Sequence, residues 1–158
     1  MAQDSEVIAE EIIPLNIAMP IVRQYIKTPE RILDYYPGGK DSGEFEKGRS
    51  FYCEGSAGVS LLEITLDEPD RIYMKVWTAS RCSKPYTVDK LKRAAFFIMD
   101  EDWRLEAQGE QTTLTRYWLN INKIKMRFLP MAWLIRKTVK NESQRIIEKW
   151  ERLAKQPA

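Results

Sequence analysis

The apolar and polar positions of this chain change period twice. From about Glu6 to Asn16 they alternate loosely between the flanking Pro14 and Pro20, which predicts a strand. From Met19 to Thr28 the repeat becomes helical, with Ile21, Val22, Tyr25 and Ile26 on one inner face. Thr28-Pro29-Glu30-Arg31 restarts a helix, because Thr28 can cap it and Pro29 suits the first helical position, where a missing N–H costs nothing. Pro37-Gly38-Gly39 ends it, so two short helices are predicted between residues 19 and 37. From Ser42 to Asn122 the period falls toward two. Turn signals at Lys47-Gly48, Gly55-Ser56-Ala57-Gly58, Asp67-Glu68-Pro69-Asp70 and Gln108-Gly109-Glu110-Gln111 separate Arg49–Glu54, Val59–Leu66, Arg71–Ala79, Ala94–Ala107 and Thr112–Ile121. Turns this short imply an antiparallel meander. The polar, basic stretch Ser80 to Arg93, which contains Pro85, is expected to be a loop over one end of the sheet.

The last stretch, Phe128 to Lys155, is the one the others are organised around. Pro130 suits a helix start, and Met131, Ile135, Val139, Ser143, Ile146, Trp150 and Leu153 then fall on one helical stripe. Glu148 with Arg152, and Glu151 with Lys155, are favourable i,i+4 pairs. At ~1.5 Å per residue such a helix is on the order of 40 Å long. It needs a wide apolar surface, and a curved sheet supplies one. The order is strand, two short helices, about six strands and one long helix. That is an α+β class with helices on one face of an antiparallel sheet.

Composition narrows the chemistry. A chain of 158 residues suits one domain, residues 1–158 with a core of about 6–155, and can bury a sizeable core without metal or disulfide. Its 25 basic and 23 acidic residues leave a net charge of +2, which argues against nucleic acid as a partner. Histidine is absent, which removes the commonest general base and metal ligand. Cys53 and Cys82 are too few for a four-thiolate zinc site, so no metal or other cofactor is expected. The cysteines read as reduced thiols. The N-terminus lacks a signal-peptide pattern, and the longest apolar run, Phe128 to Ile135, falls short of the ~20 residues that span a bilayer. A soluble, cytoplasmic protein is expected.

Three stretches carry a family likeness. Pro20 to Gly38 combines a strand-exit proline, a short helix, a Thr28-Pro29 restart and a closing Pro37-Gly38. Trp103-Arg104-Leu105-Glu106, a turn and Thr112 to Thr115 read as paired late strands, and the long helix follows. Together with the element order, these resemble the START/Bet v 1-like helix-grip domains, and within them the polyketide cyclase/dehydrase and lipid-transport group. The resemblance runs from about Glu6 to Lys155. It implies a strongly bent sheet gripping the long helix, an apolar cavity between them, and two short helices closing one end. Members include lipid and sterol carriers, quinone-binding proteins, plant hormone receptors, aromatase/cyclases and chaperone co-activators. The fold by itself therefore leaves function open.

Alternation along Ala94–Ala107 turns Ala95, Phe97, Met99, Glu101, Trp103 and Leu105 one way. This apolar set should face the cavity. Glu101 between Met99 and Trp103 is then a partly desolvated carboxylate, suited to proton transfer or to orienting a polar ligand group. A bulge returning it to solvent, or a salt bridge, is the plainer reading. Lys75 would pair with it only if Tyr73 and Trp77 faced inward; Ile72, Met74 and Val76 inward is favoured, because that face is wholly apolar. On the last strand Thr113, Thr115, Tyr117, Leu119 and Ile121 are expected inward, with Leu114, Arg116, Trp118 and Asn120 outward. Tyr117 would then offer a hydroxyl in an apolar setting.

The expected ligand lining is Tyr25, Phe51, Leu62, Ile64, Met74, Val76, Phe97, Met99, Glu101, Trp103, Tyr117, Leu119, Met131, Trp133 and Ile135. Five Trp, seven Tyr and six Met are many for this length. They suit an adaptable pocket or a gate, and equally a homodimer contact. Arg81, Lys84, Lys90, Lys92 and Arg93 read as a solvated basic loop, or as a recogniser of an acidic head group or an anionic membrane surface. The function expected is a carrier that buries an apolar small molecule such as a lipid, isoprenoid, quinone or polyketide. A cyclase/dehydrase-type enzyme using Glu101 or Tyr117, or a protein-interaction module, is the alternative, and the lack of histidine weighs against the enzyme.

Overall fold

The computed structural model describes residues 7–36, 38–56, 58–123 and 131–156, with side chains outside residues 122–142. The chain runs β1 (Val7–Leu15), α1 (Met19–Ile26), α2 (Pro29–Tyr35), β2 (Asp41–Glu46), β3 (Ser50–Gly55), β4 (Gly58–Glu68), β5 (Arg71–Ala79), α3 (Val88–Ala94), β6 (Ala95–Gln108), β7 (Gln111–Lys123) and α4 (Met131–Lys155). Among the described residues the strands form one curved antiparallel sheet of order β1-β7-β6-β5-β4-β3-β2. The meander from β2 to β7 follows from its short turns. β1 then pairs with the last strand, Ile12 opposite Thr115 and Leu15 opposite Thr112. This is an α+β helix-grip architecture. None of the described helices is long and apolar enough to cross a membrane.

Two elements depart from the sequence reading. β2 is an extra edge strand, reading Asp-Ser-Gly-Glu-Phe-Glu, with too few apolar positions to show a period. Its Gly43 lets the Tyr52 ring lie across the strand, since a Cβ there would come within 2.4 Å of that ring. The basic loop also contains a helix, α3. Thr87 caps it, its hydroxyl accepting from the Lys90 N–H at 3.1 Å, and Asp89 sits in its first turn. Only Leu91 of α3 is fully buried, so no apolar stripe announced it.

The main core lies on the inner face. Phe51, Leu62, Ile64, Ile72, Met74, Val76, Trp103, Leu105 and Leu114 pack with Val22, Ile26, Ile32 and Tyr35 from the short helices and with Ile146 and Trp150 of α4. Ile21 does not join them. It is 41% exposed, because α1 turns Val22 and Ile26 inward and so aims Ile21 at solvent. A smaller core sits on the outer face, where Leu91 packs on Val59, Leu61 and Ala79 with Phe45, Tyr52, Trp77 and Tyr86 around it.

The later turns of α4 are fixed by polar contacts at both ends of the short-helix layer. Trp150 Nε1 donates to the buried Asp34 carboxylate at 3.0 Å, and Lys149 Nζ lies 2.7 Å from its other oxygen. The Asn16 N–H donates to Glu151 Oε2 at 2.9 Å, and the Ser143 hydroxyl donates to Glu11 Oε2 at 2.7 Å. Of the predicted stripe, Ile146 and Trp150 are buried and Ser143 and Leu153 half-buried, while Met131, Ile135 and Val139 lie outside the described side chains.

Candidate functional site

β6 supplies the centre of the inner face. Phe97, Met99, Glu101, Trp103 and Leu105 are all buried, and Met74 of β5 stands opposite Glu101. Lys75 pairs across to Asp100 on the outer face, so it is not the partner of Glu101. The partner is Arg116 of β7. Its Nε donates to Glu101 Oε1 at 2.5 Å, its Nη1 donates to the Tyr35 carbonyl at 3.2 Å, and Nη1 also lies 3.9 Å from Glu11 Oε1. Arg116 is 2% exposed. Its guanidinium carbon lies 4.1 Å from the Trp118 ring centre, 4.5 Å from Trp103 and 5.2 Å from Tyr35. A planar, weakly hydrated guanidinium tolerates this setting where an ammonium would not, because it stacks on rings while its fork bonds a carboxylate.

β7 therefore faces the opposite way to the sequence expectation. Leu114, Arg116 and Trp118 are inside; Thr113, Thr115 and Tyr117 are on the outer face. The register explains it, since Arg116 stands opposite Trp103 and Tyr117 opposite Asp102. Tyr117 meets Arg104 there, whose guanidinium lies 5.4 Å over its ring, so its hydroxyl does not serve the inner face. Leu119 is buried too, but its register partner is Asp100, so it shares the outer direction of Tyr117 and belongs to neither inner cluster. The register slips between Ile98 and Asp100, and Asn120 takes a φ of 54°. Beyond the slip the faces exchange, and Ile121 packs against Phe97, Met99 and Trp118 as the sequence led one to expect.

A second apolar cluster adjoins the ion pair: Ile8, Phe97, Met99 and Trp118, with Ala9, Phe96 and Ile121 against it. These residues keep 5–8% exposure, against 0–3% for most of the main core. They lie at the start of β1 and β6 and in the second half of β7. Ser143 meets Glu11 and Glu151 meets Asn16, so the earlier turns of α4 run toward this same end. Of the expected lining, Phe51, Leu62, Ile64, Met74, Val76 and Trp103 belong to the main core, and Tyr25 packs against it with its ring 5.5 Å from Trp150. Phe97 and Met99 belong to the looser cluster. Met131, Trp133 and Ile135 lie outside the described side chains.

The site thus joins a fixed charge pair to apolar walls. Trp103 Nε1 is buried beside it with no hydrogen-bond partner among the described residues. Burial pushes the Tyr35 phenol well above its usual range, and its hydroxyl donates to the Ile26 carbonyl at 2.8 Å. Burial likewise pushes Tyr36 up to about 12, and its hydroxyl bonds Ser60. Both phenols stay protonated at ordinary pH. Among the described residues no group of three acidic, cysteine or histidine side chains converges on a point that could hold a metal ion. Sequence reasoning missed Arg116, Glu11 and Asp34. The available signal was that Leu114 and Trp118 form a more apolar set than Thr113 and Thr115.

No family model and no curated protein matches this sequence. Solved structures match its fold. A conserved protein from Geobacillus kaustophilus superposes with a TM-score of 0.64 at 11% identity, over 90% of this chain and 94% of that one. A START superfamily protein from Mycobacterium smegmatis gives 0.62 at 11% identity, over 92% and 97%. Ara h 8.0201, a Bet v 1 homologue, gives 0.57 at 14% identity, over 92% and 95%. At such identities the likeness establishes the fold alone, the helix-grip architecture that these structures share.

Proposed function

We propose that this helix-grip domain is a binding protein that holds an apolar small molecule of the lipid, isoprenoid, quinone or polyketide kind between its sheet and α4. The observation that carries the reading is the Arg116–Glu101 pair, buried among aromatic rings and next to the looser cluster of Ile8, Phe97, Met99 and Trp118. Apolar walls with a few fixed polar groups are the usual make-up of a small-molecule site. The walls would bind the ligand body at ~25 cal/mol per Å² removed from water. The charge pair would orient its polar end. A protein of the dynemicin biosynthetic locus shares the fold, with a TM-score of 0.57 and 14% identity, which keeps polyketide-like compounds among the candidates.

Binding is favoured over turnover because of how the two candidate acid–base groups are placed. Tyr117 is on the outer face, and Glu101 is already engaged by Arg116. A cytoplasmic location goes with this reading, and the free thiols Cys53 and Cys82 support it.

The test is mass spectrometry of protein purified without detergent, native against denatured, followed by solvent extraction. A stoichiometric apolar compound is expected, and Met99→Trp, which fills the looser cluster, should lose it. An empty protein whose melting is unmoved by fatty acids, sterols, quinones and flat aromatics would overturn the reading. A Glu101→Gln variant that keeps its ligand but loses a reaction of that ligand would instead identify an enzyme.

A further inference from the structure

The basic segment from the end of β5 through α3 sorts into committed and uncommitted charges. Lys90 Nζ donates to the carbonyls of Ser83 at 2.9 Å and Pro85 at 2.8 Å, tying the segment to itself. Lys92 pairs with Glu63 at 3.1 Å, and Arg93 Nε donates to the Asp89 carbonyl at 3.4 Å. Lys84 pairs with Glu54 at 3.3 Å and with Asp41 at 3.7 Å. Arg81 is different: its guanidinium takes no hydrogen bond or ion pair among the described residues. Neither does the ammonium of Lys40, which approaches from the start of β2.

Arg81 and Lys40 line one groove of about 440 Å³. Its floor is backbone. Gly58 has a φ of +132°, and a Cβ there would lie 2.1 Å from the Ala79 carbonyl oxygen, so β4 and the end of β5 approach as closely as glycine permits. One wall is Tyr86, whose hydroxyl donates to Glu54 Oε1 at 2.5 Å. That bond and Lys84 both meet the same oxygen, Oε1, of Glu54, the one carboxylate among the described lining residues, and Lys84 offsets its charge. Against Glu54 the described lining sets four side chains that can donate: Arg81, Lys40 (these two cationic) and the hydroxyls of Ser80 and Ser83. Val59 and Tyr86 belong to the outer-face core, so the groove is on the other side of the sheet from the Arg116 site.

We propose that this groove is a second binding site, independent of the inner-face ligand, for a small organic oxyanion: a phosphate or carboxylate on a compact body. Charge-assisted bonds from a guanidinium and an ammonium suit either oxyanion, the guanidinium with a two-pronged geometry. A volume of about 440 Å³ admits a body of roughly one aromatic ring beside that group. Tyr86 and Val59 provide its apolar contact.

The experiment is amide chemical-shift titration of the full chain at low ionic strength with inorganic phosphate, phenyl phosphate and benzoate. Saturable shifts at Gly55, Gly58 and Ser80 to Ser83 are expected, strongest for a probe that carries a ring. Phenyl phosphate saturating where benzoate does not assigns the oxyanion as phosphate; the reverse assigns carboxylate. Arg81→Ala and Lys40→Ala should each weaken binding about tenfold, and added salt should weaken it in the parent protein. Both side chains are exposed, so melting should be unchanged. Shifts that scatter over the lysine-rich surface without saturating would overturn the proposal. So would saturable shifts that survive in the Arg81→Ala, Lys40→Ala double variant.

Discussion

Replacing Arg116 by Met tests whether the inner face depends on its charge pair. The substitution keeps most of the side chain's bulk and removes all of its donors. It leaves the Glu101 carboxylate, 3% exposed, without its 2.5 Å partner. It also strips the Tyr35 carbonyl of a 3.2 Å bond and removes the cation stacked on Trp118 and Trp103. Breaking a buried pair by removing one member costs about 3–5 kcal/mol, because the remaining charge is stranded. Against a typical total of roughly 5–15 kcal/mol that is a large share. At about 2–4 °C per kcal/mol for a chain of this size, melting should fall by roughly 6–20 °C. Urea unfolding followed by far-ultraviolet circular dichroism gives the free energy directly. Adding Glu101→Leu should recover most of the loss, since a buried pair replaced by apolar groups of similar volume is close to neutral. A single variant within about 1 kcal/mol of the parent would refute the argument. So would a double variant whose losses simply add.

Other consequences can be checked alongside. Asp34→Ala removes the acceptor of Trp150 Nε1 and the partner of Lys149, and should cost about 2–4 kcal/mol in urea unfolding. Faster amide exchange in the last turns of α4 should accompany it. Gly58→Ala combines a positive φ with a 2.1 Å clash against backbone, so it should destabilise by more than about 2 kcal/mol, read as lost melting temperature. Burial pushes Cys53 and Tyr36 up to about 12 from ordinary values of 9.0 and 10.0. The unfolded chain releases these protons first, so stability is full below pH 9.0 and is lost as pH rises toward about 12. Cys53→Ala should shallow that decline, and a stability curve flat across the window would rule the cause out.

The long-range plan of this fold was legible because its strands alternate and its turns are short. β3 to β7 and α4 each carry enough apolar positions to declare a period. β2 and α3 do not. One is an acidic edge strand covered on a single side, and the other is a helix of 7 residues with one fully buried side chain, Leu91. Glu101 was readable as inward from its own strand, since Met99 and Trp103 flank it. Arg116 was not readable from its strand. A lone strand gives no reason to bury an arginine; the reason is the carboxylate on the next strand, and register decides that meeting. Tyr117 was misassigned by the same omission, because choosing the face of Arg116 chooses the face of Tyr117. The slip near Asn120 is a backbone event with no side-chain period to announce it.

The outer-face core under α3 has a mechanical consequence. β4 and β5 carry apolar cover on both sides, inner residues such as Leu62 and Met74 on one and Leu61, Ala79 and Leu91 on the other. A sheet sandwiched in this way resists flattening, since bending it would open two packed layers at once. Among the described residues β1 has no such backing: Ile12, on its outer face, is 58% exposed. The sheet is therefore stiff in the middle and compliant along one margin. On the proposed binding role, an inner-face ligand would be taken up by the β1 margin and α4 giving way together, while β4 and β5 act as the fixed jaw.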